Sequence, residues 1–212
     1  MMLVQFIRKP LRYRYDNVVL ILIGINLLVF LVQNLIAQAT SYLALNPVAM
    51  VRFGMFWQPL TYMFTHGSIS HLLFNMLGLF FFGIPMERHV GSKEFLLYYL
   101  VTGILAGLFS FGVFLLTGSY FTYLVGASGA IFAVQLAYAT FFPDSVVFLW
   151  GILPLRAPVM VLGFTALELF SAITGTQNGV AHVTHLAGFL FGWLYFLVRF
   201  GVNPWRYLVR RS

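Results

Sequence analysis

Four side chains of this 212-residue chain can together break an acyl bond: Ser128 in Gly126-Ala127-Ser128-Gly129, His185, and the pair His71 and Asn75. A serine hydroxyl is a poor nucleophile until a base takes its proton, and a neutral imidazole is the usual base near pH 7. Attack on a carbonyl then creates an oxyanion, which needs fixed donors. His71 and Asn75, at i and i+4, project from one helix face and offer two. The backbone N–H of Ser128, near a helix N-terminus, offers a third. Gly126 and Gly129 leave room for another backbone or a substrate chain to reach the hydroxyl. The serine sits on a helix without the strand–turn–helix setting of the hydrolase elbow, which excludes that fold.

The elements that must position these groups lie in a membrane. The chain is 61% hydrophobic, 18% aromatic and 8% charged, far from the ~25% charged residues of a soluble domain. Six spans are expected: Asn17–Ala39, Ile69–Met86, Glu94–Leu116, Gly126–Phe142, Ala157–Thr174 and Val180–Phe200, each near the ~20 residues a bilayer requires. Residues 1–16 form a basic N-terminus, 17–200 the membrane domain and 201–212 a basic tail. The first apolar run lacks a small-residue cleavage site and reads as a retained span. Residues 40–68, with Pro47, Pro59, Trp57 and dense aromatics, read as a long interfacial loop. Residues 145–156 are apolar but too short to cross, hence a surface segment. Gly175–Gly179 reads as a turn. Gly103 and Gly107 have the spacing of a close helix contact.

Eleven of the twelve Lys and Arg residues fall on one side of this topology, Arg52 alone on the other. The positive-inside bias therefore puts both termini in the cytoplasm. The net charge of +7 thus concerns topology and anionic headgroups, not nucleic acid. Absence of cysteine excludes disulfides and thiolate chemistry; no cofactor or metal is expected.

Heights follow from the helical rise. Counting back from the expected cytoplasmic ends, Ser128 and His71 stand ~24 Å up, His185 ~21 Å, and Asn75 one turn below His71. Three helices thus bring Ser, His and a His/Asn pair to one level. Glu168 lies ~18 Å up, where a carboxylate is costly. It reads as protonated or paired across helices, leaving a Ser–His dyad. His182 reads as an interfacial or loop contact, and His66 as a residue whose hydrogen bond orders the loop. Phe132, one turn after Ser128, either packs on the imidazole or belongs to the ordinary core. Gly188 and Gly192 let span six pack tightly on span four, bringing His185 within reach of Ser128.

Gly126-Ala127-Ser128-Gly129, His71-Leu72-Leu73-Phe74-Asn75 and Ala181-His182-Val183-Thr184-His185-Leu186-Ala187-Gly188 followed by Gly192 together resemble the rhomboid intramembrane serine proteases. The resemblance runs over roughly residues 50–200 and includes Trp57 to His66, with Gln58 where some bacterial members carry arginine. It implies an all-α, six-helix bundle, Ser128 as nucleophile, His185 as general base, and His71 and Asn75 as oxyanion donors. The implied substrates are transmembrane helices cut near the membrane boundary; separately, a short chain without extra domains is expected to sit in a prokaryotic inner membrane. Two rivals stand beside this reading. A non-catalytic rhomboid-like protein that binds membrane clients would lack the serine or the span-six histidine, and both are present. A channel would need a polar path through the lower halves of spans two, four and six, which are almost entirely apolar.

Overall fold

The structure is a computed structural model, described here for residues 7–149, 151–174 and 180–209. The expected turn at 175–179, and Arg210 and Arg211 of the basic tail, lie outside the described residues. The long helices are α1 (Val18–Leu35), α5 (Ile69–Val90), α6 (Ser92–Thr117), α7 (Ser128–Phe141), α8 (Ala157–Thr174) and α9 (Val180–Tyr195), the last continued by a π turn, Phe196–Phe200. Between α1 and α5 lie three short helices, α2 (Ala39–Leu43), α3 (Pro47–Phe53) and α4 (Gln58–Thr61); α10 (Trp205–Leu208) ends the described chain.

Among the described residues, five helices are long and apolar enough to cross a bilayer: α1, α5, α6, α8 and His182–Phe200 of α9 with its π turn. Their outward faces are apolar too, with Leu28, Phe81 and Leu167 among the exposed side chains. Water would not tolerate so much exposed apolar surface, whereas lipid does. The protein is an integral, mostly helical membrane protein. Helix α7 is different. It has 14 residues, about 21 Å against a ~30 Å hydrocarbon layer, shorter than the expected span Gly126–Phe142. Gly126 has φ +114°, a conformation closed to other residues, so the helix cannot start before it.

Two expectations need correcting. The chain is not purely helical: residues 145–156 contain an antiparallel hairpin, Val146–Leu149 (β1) with Leu153–Arg156 (β2), turning at Gly151 with φ +73°. The segment 40–68 is not an irregular loop but a folded unit built on buried Gln58. The Gln58 carbonyl oxygen accepts the Asn46 N–H at 3.0 Å, and its amide donates to the Ser41 and Tyr42 carbonyls. Thr61 and Trp57 add bonds to the Leu43 and Tyr42 carbonyls. Asn46 caps α3 by accepting from the Ala49 N–H, and Gly54 at φ +66° ends it.

The glycines of α6 receive side chains of this unit. A Cβ on Gly107 would stand 2.5 Å from the Tyr62 ring, and one on Gly103 2.1 Å from Met63. Fully buried Tyr62 donates its hydroxyl to the Gly103 carbonyl at 2.6 Å. The interfacial unit is thereby keyed to the helix next to α7. At the opposite end of the bundle, Arg199 of the π turn pairs with Glu94 of α6 at 2.6 Å, and Tyr195 donates to the same carboxylate. That end also holds Glu87, fully buried, whose carboxylate accepts the N–H groups of Val18 and Val19 and so caps α1 from another helix.

Candidate active site

Ser128 is the first residue of α7. The first intrahelical bond of α7 is from Ile131 N–H to the Ala127 carbonyl, so the amides of Ser128, Gly129 and Ala130 have no partner within the helix. The strand-like approach to the serine is fixed on one side by Leu124, which exchanges backbone bonds with Leu45, and on the other by Gly126 N–H, which donates to the Tyr62 carbonyl at 3.0 Å. The folded interfacial unit therefore sets where α7 begins.

His185 reaches this hydroxyl from α9: Nε2 lies 2.7 Å from Ser128 Oγ. Backbone contact makes the approach possible. Gly188, one turn below His185, packs so closely on α7 that a Cβ there would stand 2.0 Å from the Gly129 carbonyl oxygen. Gly192 repeats the contact against Ala133 and the Tyr98 hydroxyl. Tyr98 itself donates to the Ala133 carbonyl at 2.7 Å, fastening α6 to the same stretch of α7. Phe132 stacks on the imidazole with centroids 4.3 Å apart and planes 8° from parallel, and it also packs into the core, 5.0 Å from Phe189, so both readings of that ring hold. A flat aromatic face and a hydroxyl thus restrict the imidazole in two perpendicular directions.

His71 comes from α5, where Ser68 caps the helix by accepting the His71 N–H at 3.1 Å. Its ring lies over Gly126: a Cβ there would stand 2.7 Å from His71 Nε2 and 3.8 Å from Ser128 Oγ. The space that a side chain at 126 would fill is bordered by both groups, an opening suited to a substrate carbonyl. Asn75 is buried one turn on and donates through Nδ2 to the His71 carbonyl at 2.8 Å. An amide carries two N–H bonds, so one remains to be offered elsewhere.

His66 departs from its expected part. Its backbone, not its ring, orders the chain: the N–H donates to Gln33 of α1 at 3.0 Å. The ring is buried edge-on against His71, 5.1 Å between centroids, with neither nitrogen hydrogen-bonded. Burial, with the neighbouring His71 second, lowers its pKa to about 4, so the ring is neutral at physiological pH.

Sequence reasoning missed what Glu168 does. Of the two expected states, protonated or paired across helices, the structure has the pairing, and its partners are the two α9 histidines. Oε1 lies 3.0 Å from His185 Nδ1 and Oε2 2.5 Å from His182 Nδ1. His182 therefore contacts helix α8 through this carboxylate. The position of Glu168 at the height of both histidines was the available signal. Helix α8 is held at two places: its buried residues, Ala157, Pro158, Met160 and Val161, lie at the hairpin end, and Glu168 fastens its other half to α9.

A family model described as Rhomboid domain matches residues 53–202. The chain belongs to the rhomboid family. Ser128, His185, His71, Asn75 and Glu168 all fall inside the matched range. Among similar rhomboid proteins, Rhomboid protease AarA of Providencia stuartii is 31% identical over 152 residues, 66% of this chain and 54% of the relative. Putative rhomboid protease YdcA of Bacillus subtilis (strain 168) is 32% identical over 141 residues, 64% of either chain. Rhomboid protease GluP of the same species is 43% identical over 84 residues, 40% of this chain and 15% of the relative. The chain thus spans between about half and two thirds of the first two rhomboid relatives.

Proposed function

We propose that this rhomboid-family chain is an intramembrane serine endopeptidase that cuts transmembrane helices in or near the outer half of a bacterial inner membrane. The observation that carries the proposal is the 2.7 Å contact between Ser128 Oγ and His185 Nε2, from two helices, beside a glycine-walled opening bordered by His71. Ser128 attacks the scissile carbonyl while His185 takes its proton. The C–N bond breaks as His185 returns that proton to the leaving amine, and water then hydrolyses the acyl-serine ester by the same route. His71, Asn75 and the Ser128 amide are the donors for the oxyanion. The 11:1 partition of basic residues supports cytoplasmic termini, which puts the Ser128 layer toward the outer leaflet. A substrate helix reaches the site laterally beside α8, which has no fully buried residue beyond Val161. Local unwinding of the substrate is required, because a carbonyl inside a helix is hydrogen-bonded and shielded.

The test uses purified protein in detergent with a panel of single-span substrates and a fluorophosphonate probe. Wild type is expected to cut within or beside the apolar segment and to be labelled at Ser128. Ser128→Ala is expected to do neither while melting at the same temperature. Cleavage by Ser128→Ala at the wild-type rate would refute the mechanism. Binding of membrane clients without labelling or cleavage would favour the non-catalytic reading.

A further inference from the structure

We infer that Glu168 is a positioning residue for the reaction proposed above, on which this inference rests: its carboxylate sets the tautomer and the orientation of His185. The chemistry follows from what each atom can do. An ionised carboxylate only accepts hydrogen bonds, so a ring nitrogen facing it carries the proton. Glu168 Oε1 faces His185 Nδ1 at 3.0 Å, which selects the Nδ1–H form and leaves the Nε2 lone pair toward Ser128 Oγ at 2.7 Å. That is the form able to remove the serine proton. When the proton arrives on Nε2, the imidazolium gains a negative neighbour three ångströms from its other nitrogen, in a place where water is scarce and the charge is otherwise costly.

The contact meets the distance of a hydrogen bond but not its alignment in the resting structure, since Nδ1 has no well-directed acceptor. The second carboxylate oxygen explains the offset: it is drawn to His182 Nδ1 at 2.5 Å. One carboxylate shared between two imidazoles, from residues three apart on a single helix, is thereby held in place from both sides. The same three groups are within reach of a common metal ion, but the spacing argues for a proton. Two ligands on a tetrahedral zinc at ~2.0–2.1 Å stand about 3.3 Å apart. The 2.5 Å separation seen here is that of a hydrogen bond. Because the carboxylate rides on α8, a helix with few buried residues, seating of that helix is what arms the imidazole.

Glu168→Gln keeps the shape and removes the charge, and its amide can turn an N–H toward Nδ1 and so favour the wrong tautomer. The expected result is a kcat lowered by about 10²-fold or more, with KM within a few-fold of wild type and an unchanged melting temperature. Glu168→Asp, which restores a carboxylate, is expected to recover most of the rate. A wild-type kcat in Glu168→Gln, or a loss that Glu168→Asp fails to recover, overturns the inference. Nitrogen-15 histidine NMR on the unmodified protein gives a reading independent of whether the variants fold: His185 should show a protonated Nδ1 and a bare Nε2, and the reverse pattern refutes the inference. Ser128→Ala, run in parallel, keeps the two ideas apart. Cleavage surviving in that variant removes the serine reaction itself, whereas an inactive Ser128→Ala beside a fully active Glu168→Gln removes only the part assigned to the carboxylate.

Discussion

Gly188 stands against Gly129 so closely that a methyl group on the first would meet the carbonyl oxygen of the second at 2.0 Å. Both positions sit within one turn of the reacting groups, Gly129 next to Ser128 and Gly188 three residues after His185. Backbone cannot yield as the end of a flexible side chain can, so Gly188→Ala must push α9 away from α7. Overpacking of this kind costs roughly 1–3 kcal/mol. A displacement near 1 Å at the imidazole is enough to slow a reaction about 10²-fold. Gly188→Ala is therefore expected to lower kcat by that order and to melt several degrees lower. Gly163, which faces open space on α8, is the control: Gly163→Ala should change neither. A fully active Gly188→Ala would show that the helix contact does not set the Ser128–His185 distance.

Asn75 is expected to act with the amide hydrogen that the His71 carbonyl does not use. Loss of one oxyanion donor costs about 10²–10³ in kcat. Asn75→Ala should fall in that range, read with purified protein under saturating substrate, while fluorophosphonate labelling slows in parallel. A rate unchanged from wild type would confine Asn75 to holding the His71 turn.

The membrane class, the main helices and the layer that joins Ser128 to His185 were legible in the sequence because each rests on a regular repeat. Hydropathy over about 20 residues marks a span, and a fixed rise per residue converts position into depth. What escaped depends on rotation or on distant partners. Depth put Glu168 near the two histidines, yet only the rotation of α8 about its axis decides that its carboxylate faces them. The helices between 39 and 61 have four to seven residues, too few to show a period, and they are held by Gln58, whose partners are 12 to 17 residues away. The hairpin strands have four residues each, a length at which strand and surface helix read alike. Span four is expected to begin at Gly126, two residues ahead of the observed start at Ser128, because hydropathy carries no backbone angle and the φ of Gly126 closes that position to a helix. The Gly103 and Gly107 pair was legible as a place of close approach, but its partner is a tyrosine and a methionine, not a helix backbone.

His66 makes the folded state sensitive to mild acid. Its ordinary pKa of 6.5 is lowered to about 4 in the folded protein, by burial first and by His71 second. Between those values the unfolded chain binds a proton at this position that the folded chain refuses. Stability from this site is therefore complete above pH 6.5 and is lost progressively as the pH falls toward 4. His66→Leu removes the titration and, since neither ring nitrogen is hydrogen-bonded, breaks no side-chain bond. Melting temperatures in detergent at pH 7.5 and pH 5 give the check. Wild type should lose more between the two than His66→Leu does, by a few degrees; equal losses would mean that the ring is solvated in the folded protein.

Glu87 offers a separation of stability from chemistry. Helix α1 begins at Val18 behind Asn17, which lies in the left-handed region with φ 55° and provides no side-chain cap. The first N–H groups of the helix would be buried without partners but for Glu87, which accepts Val18 at 2.7 Å and Val19 at 3.0 Å. Ser92 completes the arrangement, donating to the same carboxylate at 2.5 Å and accepting the Asp16 N–H at 2.7 Å. A carboxylate at a helix N-terminus also meets the positive end of the helix dipole. In Glu87→Gln one of the two acceptors becomes a donor pointed at another donor, and the charge is gone. Leaving a buried N–H unsatisfied costs about 1–3 kcal/mol. The variant should melt several degrees below wild type, and Ser92→Ala by a smaller margin. Glu87 lies sixteen residues along α5 from His71, about 24 Å, so no reacting group is touched. The molecules that remain folded should accordingly cut at the wild-type kcat, measured below the melting transition and normalised to active sites by fluorophosphonate titration. A Glu87→Gln protein as stable as wild type would show that solvent or lipid headgroups can cap α1 without the carboxylate.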